Sequence, residues 1–336
     1  MAANNSRYNF KKNCLMSYNL ISDKTEASVK KFNKKDYGKI LIPMVTPFKE
    51  NQEVDYEKAV KLAQFLIDTK KGDTLVLSGT TGEFHTMVFS ERVELFRIFR
   101  EKFAAKIPMI AGVGAASTKE TIELAKAAEK LGFETIMAVA PYYTKPNQKE
   151  LYEHYKALSE AVDVNVMIYN IPIFTGVNVK PETVGKLSEY KNIVAIKEEA
   201  ELNAKQMTEF INATPSDFII YNGDDTMILE AYTQGGDKRI GGVISGQSHI
   251  FGDKIRTMIN TFLSGDIEAA ALQQQQLLPV FRIMGQNNRT NPVALLKDTM
   301  KLYGIDGGYP RRPLSPGTPE EIATIKALLV KQGLLA

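Results

Sequence analysis

The chain has 336 residues, a net charge of +3 and 24% charged residues, with no Arg-rich helix or aromatic–basic stripe of the kind that binds nucleic acid. Its one cysteine, Cys14, excludes an intrachain disulfide, and three scattered histidines (His85, His154, His249) lack metal-ligand spacing, so no metal site is expected. No apolar run approaches the roughly 18 residues of a membrane span, and the composition fits a reducing, cytoplasmic setting.

Residues 1–38 stand apart from the rest. Up to Lys39 the chain holds nine Lys or Arg against three acids, and it is rich in Asn and Ser without a sustained apolar period. A basic, acid-poor leader is one reading. With only Arg7 among its arginines, a solvated, flexible extension is the better one.

From Lys39 onward short apolar runs alternate with stretches of helical period. Ile40–Val45 is the first expected strand, and a helix follows from Asp55. Thr74–Leu77 comes next, with a Gly-rich turn and a helix from about Ser90. Met109–Ala111 precedes a helix capped by Ser117 and Thr118 and reaching Leu131. Thr135–Val139 precedes a helix over Lys149–Ala161. The second half repeats the rhythm with strands at Val164–Tyr169, Ile193–Lys197, Phe218–Tyr221 and Ile240–Ser245. Helices are expected at Pro181–Leu187, Leu202–Ile211, Thr226–Tyr232 and Lys254–Leu263. Ile267–Met284, Pro292–Leu302 and Pro319–Leu335 add a helical tail. Eight βα units over about 200 residues predict a closed (β/α)8 TIM barrel over residues 39–250, with the last barrel helix and a C-terminal helical extension over 251–336. An open doubly wound sheet is the runner-up, weakened because no G-x-G-x-x-G follows the first strand.

Active sites of such barrels form at the C-terminal ends of the strands. The residues there are Thr46, Gly79–Glu83, Pro141–Tyr143, Tyr169, Lys197, Gly223–Asp225 and Ser245. Lys197 ends the apolar run Ile193-Val194-Ala195-Ile196. Desolvation at a barrel mouth disfavours its ammonium and frees an amine nucleophile. The alternative is a lysine that snorkels to water or pairs with Glu198 or Glu199, and both carboxylates read as rim charges. Tyr169 ends the neighbouring strand, as a proton shuttle or as a packing aromatic. Ser78-Gly79-Thr80-Thr81-Gly82-Glu83 is either an anion-binding nest or a tight turn. In Gly223-Asp224-Asp225, Asp225 is expected to cap the next helix and Asp224 is left open. The loop Gly246-Gln247-Ser248-His249, with Asp224, offers polar groups to a hydroxylated ligand.

Six segments in order resemble the dihydrodipicolinate synthase / N-acetylneuraminate lyase family of class I aldolases: Gly79-Thr80-Thr81-Gly82-Glu83, Pro141-Tyr142-Tyr143, Tyr169-Asn170-Ile171-Pro172, Ile196-Lys197-Glu198, Gly223-Asp224-Asp225 and Gly242-Val243-Ile244-Ser245. The resemblance runs from roughly Gly38 to the C-terminus. It implies that Lys197 forms an imine with pyruvate, that Tyr169 shuttles protons, and that Thr81 links Tyr169 to Tyr143 of a neighbouring subunit. Thr80 and Thr81 would hold the keto-acid carboxylate, and the carbonyl of Ile244 would touch the bound acid. Gly223 and Asp224 fall to the substrate side. Homotetramers built from dimers are implied, with no metal and no organic cofactor. One position departs from the synthase branch. An Arg five residues after the tyrosine binds the carboxylate of aspartate semialdehyde there, and Phe174 stands at that place here. A phenyl ring forms no carboxylate clamp, so sugar-acid aldolases or dehydratases are the alternative branch. A keto-acid-binding regulator and a metal-dependent aldolase are the alternatives outside it.

Overall fold

A computed structural model describes residues 37–199 and 205–336. The extension expected over 1–38, with Cys14, therefore lies almost wholly outside the described residues, as do positions 202–204 of the helix expected from Leu202.

Eight parallel strands close in sequence order, and β1 pairs with β8. They are β1 (Ile40–Pro43), β2 (Thr74–Leu77), β3 (Met109–Gly112), β4 (Thr135–Val139), β5 (Asn165–Asn170), β6 (Ile193–Glu198), β7 (Ile219–Asn222) and β8 (Ile240–Ile244). Parallel strands buried on both faces read as unbroken apolar runs, which is why the sequence shows them as short blocks. The alternation still operates within each block. Leu41, Val76, Ile110, Met167, Ala195 and Ile219 fill the barrel interior. Their neighbours Ile42, Leu75, Ile168, Ile196 and Ile220 pack outward against the helices. Gly242 lets the barrel close: its φ is +151°, and a Cβ there would meet the Lys39 carbonyl oxygen at 2.0 Å.

The helices are α1 (Tyr56–Asp68), α2 (Phe89–Phe103), α3 (Thr118–Lys130), α4 (Gln148–Ala161), α5 (Pro172–Thr175), α6 (Pro181–Leu187), α7 (Gln206–Ala213), α8 (Ile228–Arg239), α9 (Ser248–Leu263), α10 (Ile267–Ile283), α11 (Val293–Leu302) and α12 (Pro319–Lys331). Side-chain caps begin several of them. Asp55 accepts from the Lys58 amide and Ser117 from the Glu120 amide. Asn147 with Glu150, and Thr318 with Glu321, form capping boxes. Two helices start elsewhere than the apolar period suggests. α8 is preceded by a single 3-10 turn over Asp225–Met227. α9 begins at Ser248 rather than Lys254, because Ser248–Ile250 are buried and helical ahead of a kink at Phe251. The four-residue α5 has too little length to show a period.

A buried ion pair fastens the C-terminal helices to the barrel mouth. Lys297 of α11 is fully buried, and its ammonium donates to Glu83 Oε1, to the Thr46 carbonyl (2.7 Å) and to the Tyr309 carbonyl (2.8 Å). All three ammonium hydrogens are used. Glu83, also fully buried, accepts from the Arg311 amide at 2.8 Å through its other oxygen. Removing one member of such a pair strands the other charge in the interior. Lys297→Met is expected to cost roughly 3–5 kcal/mol of folding free energy in urea unfolding. A loss below about 1 kcal/mol, the range of a surface pair, would show that the clamp is not a stability element.

Candidate active site

The strand register puts Tyr169 of β5 directly beside Lys197 of β6. Both face into the barrel, where they are nearly inaccessible to solvent (2% and 4% exposed). Lys197 Nζ donates to the Tyr169 hydroxyl at 2.9 Å and sits 4.1 Å from the centre of its ring. The phenol in turn donates to Glu199 Oε2 at 2.7 Å. Glu199 Oε2 also lies 2.9 Å from Lys197 Nζ. Amine, phenol and carboxylate form a closed triangle.

Neither glutamate after the lysine is a rim charge. Glu198 is buried and points away from the barrel axis, accepting from Asn170 Nδ2 (2.9 Å) and Gln206 Nε2 (3.0 Å). Glu199 continues the β6 pattern by one residue, since its amide donates to the Asn170 carbonyl. The two-residue period then returns its side chain to the face that carries Lys197. That spacing was available in the sequence. Burial holds the Glu199 carboxyl above the usual carboxylate range, against the opposing pull of the Lys197 ammonium.

A cavity of about 560 Å³ opens above this triangle, walled by Thr80 and Thr81 after β2, Phe174 of α5, Gly223 and Asp224 after β7, and Ile244 at the end of β8. Gln247, Arg282 and Asn288 line its outer part. Seven of the expected site residues (Lys197, Tyr169, Thr80, Thr81, Gly223, Asp224 and Ile244) therefore share one cavity with Phe174. Tyr143 stands apart: it is 90% exposed, with a left-handed φ of 74°, and does not line the cavity of its own chain.

The cap expected of Asp225 falls to Asp224, which also lines the cavity. Asp224 is the cap, accepting from the Thr226 amide (2.7 Å) and hydroxyl (2.8 Å). Asp225 turns toward the cavity and accepts from the Gln247 amide at 3.1 Å. Its Oδ1 is buried without a hydrogen-bond partner among the described residues, and burial pushes the carboxyl up to about 7. His249 is likewise not a ligand group. It is fully buried, accepts from the Val45 amide through Nε2 (3.2 Å), and donates from Nδ1 to the Gly246 carbonyl (2.8 Å). Burial lowers its pKa to about 4, which keeps the ring neutral and suited to both bonds. No cluster of three or more His, Cys, Asp or Glu with metal-binding geometry occurs among the described residues.

Gly223 underlies the site. A Cβ there would meet Lys197 Cε at 2.7 Å and Glu199 Cβ at 2.8 Å, both inside normal contact. Gly223→Ala is expected to displace the lysine from the phenol and to slow reaction at Nζ about 10²-fold, measured as the rate of reductive trapping of a keto acid. An unchanged rate in a folded variant would mean that the contact yields without moving the amine.

Residues 36–332 match the model of the dihydrodipicolinate synthetase family. A 4-hydroxy-tetrahydrodipicolinate synthase of Desulforudis audaxviator is 43% identical over 300 residues, which span 89% of this chain and 99% of that protein. One from a Synechococcus species is 39% identical over 301 residues, spanning 90% and 95%. Among solved structures, the dihydrodipicolinate synthase DapA-2 of Bacillus anthracis aligns with a TM-score of 0.82 at 37% identity, covering 88% of this chain and 98% of that one. No helix among the described residues is long and apolar enough to cross a membrane. The chain belongs to the dihydrodipicolinate synthetase family.

Proposed function

We propose that this chain is a Schiff-base-forming lyase that joins pyruvate to an aldehyde, of the 4-hydroxy-tetrahydrodipicolinate synthase type. The observation that carries this reading is the buried contact of 2.9 Å between Lys197 Nζ and the Tyr169 hydroxyl at the mouth of the barrel.

Lys197 attacks the keto carbon of pyruvate. The carbinolamine loses water to give a protonated imine, which draws electrons from the adjacent methyl group. Loss of a methyl proton yields an enamine, and its carbon attacks the aldehyde. Thr80 and Thr81 hold the pyruvate carboxylate through backbone amide and hydroxyl, and the Ile244 carbonyl faces the bound acid. Tyr169 carries protons between the keto oxygen and the outer site. Gly223 gives the lysine room, and Asp224 shapes the loop beside it. No metal or organic cofactor enters this chemistry.

The sugar-acid alternative that Phe174 opened is not favoured, because the relatives above carry the synthase name at 39–43% identity. With a phenyl at position 174, the cavity offers a different cation to an aldehyde that bears a carboxylate. Arg282 is exposed on the outer wall, whereas Arg289 is held by Glu321 and by the carbonyls of Ser315 and Pro316. The working form is a homotetramer of two dimers in the cytoplasm, in which Tyr143 reaches the Thr81 of a neighbouring subunit. Its exposure and left-handed backbone suit a side chain built to serve another copy. The single cysteine in 336 residues suits a reducing compartment.

Pyruvate followed by borohydride should add one covalent mass at Lys197, found by peptide mass spectrometry, and Lys197→Ala should abolish it. A folded protein that takes up no adduct would sink the imine reading. Phe174→Arg should lower KM for aspartate semialdehyde about 10-fold, the scale of one added charged hydrogen bond. An unchanged KM would mean that the carboxylate is held from another side.

A further inference from the structure

The carboxylate of Glu199 has no part in the scheme above, yet it touches both groups that carry it out. Among the described residues its side-chain partners are the Lys197 amine at 2.9 Å and the Tyr169 hydroxyl at 2.7 Å, both on the same oxygen. Among the described residues it caps no helix and ties no loop. Its side chain is 17% exposed, on the cavity side of the barrel mouth. A buried carboxylate costs free energy unless its partners repay it, and here the partners are the reacting groups themselves.

The chemistry of imine formation has a gap at this point. An ammonium is not a nucleophile, so Lys197 must shed a proton before it attacks. The phenol is poorly suited to take it. Its own hydrogen is already directed to Glu199. We propose that Glu199 is the general base and then the general acid of imine formation at Lys197, an inference that rests on the Schiff-base reading above. The ammonium gives one proton to Glu199, leaving a neutral amine and a carboxylic acid. The amine lone pair forms the bond to the keto carbon and the carbonyl π pair moves to oxygen; Tyr169, in contact with the nitrogen, takes one proton from it and passes one to that oxygen, which leaves a neutral carbinolamine with its nitrogen lone pair restored. Glu199 then gives its proton to the carbinolamine hydroxyl, which leaves as water while the nitrogen lone pair forms the C=N bond. The regenerated carboxylate faces the cationic imine that it helped to make.

Burial supports this part, because a carboxyl raised toward the working pH exchanges protons with less loss of driving force. Among the described residues, the charged and titratable groups around Glu199 are Lys197 on its own strand, Tyr169 on β5, and Asp224 and Asp225 from the loop after β7. A base raised by burial predicts an acid limb in the rate of imine formation, placed above the ordinary carboxylate range. The rate falls with pH as Glu199 becomes protonated and can no longer accept the lysine's proton.

The test is the rate of borohydride-trapped pyruvate adduct at Lys197, measured against pH for the whole chain and three variants, with circular dichroism to confirm folding. Glu199→Gln should lower the trapping rate about 10²-fold, the lower end for general acid–base catalysis, and remove the acid limb. Glu199→Asp, which keeps a carboxylate, should be slow but retain the limb. Asp225→Asn should retain it as well. A wild-type rate and profile in Glu199→Gln would overturn the proposal, as would an acid limb that vanishes in Asp225→Asn instead. Failure of the unmodified chain to form any adduct would defeat the imine reading itself. Adduct in the unmodified chain that is unaffected by Glu199→Gln would defeat only the role of Glu199.

Discussion

Closure of the barrel in sequence order is the constraint on which everything else rests. β1 must meet β8, and that approach tolerates no Cβ at position 242. Once the ring is closed, the ends of all eight strands face one mouth, and side chains far apart in the chain become neighbours. Lys197 and Tyr169 are 28 residues apart and touch because β5 and β6 pair in a register that sets their Cα atoms side by side. Thr80, Gly223 and Ile244 reach the same cavity from the ends of three other strands. In an open sheet the edge strands would stand far apart, and no single mouth would collect these groups.

The mouth is held as well as closed. Lys297 carries three hydrogen bonds into a region from which water is excluded, linking the end of β1, the turn after β2 and the segment at Tyr309. Glu83 sits in the left-handed region with φ of 57°, a conformation uncommon for a side-chain-bearing residue. Its carboxylate is fixed from one side by the ammonium and from the other by the Arg311 amide. The turn it ends contains Thr80 and Thr81. The C-terminal helices thus act on the site at a distance, by immobilising the backbone that faces the ligand.

Polar character is split sharply across the barrel wall. Glu198 and Glu199 are consecutive, but the pleat sends one into a network with Asn170 and Gln206 and the other toward the reacting lysine. A similar split separates Asp224, consumed in capping a turn, from Asp225, which keeps one oxygen without a hydrogen-bond partner among the described residues. Adjacent residues of one type therefore have unlike roles, and the difference comes from which way each Cβ points.

The sequence by itself determined the eight-fold alternation of strand and helix, the strand that carries Lys197, and the position of the turns around it. Apolar blocks, caps such as Asp55 and Ser117, and glycines after strands are local features, and local sterics and hydrogen bonding decide them. Even Glu199 was legible in part, since a residue two places beyond Lys197 returns to the same face. What the tertiary structure alone decided were the partners. It showed that Glu199 meets the amine, that the cap falls on Asp224 rather than Asp225, and that His249 is spent on the Val45 amide. It also showed that a lysine in α11, with no motif around it, holds the mouth together. These outcomes depend on distances between segments up to 251 residues apart. Such distances follow from the register and curvature of the whole ring, which no local pattern encodes.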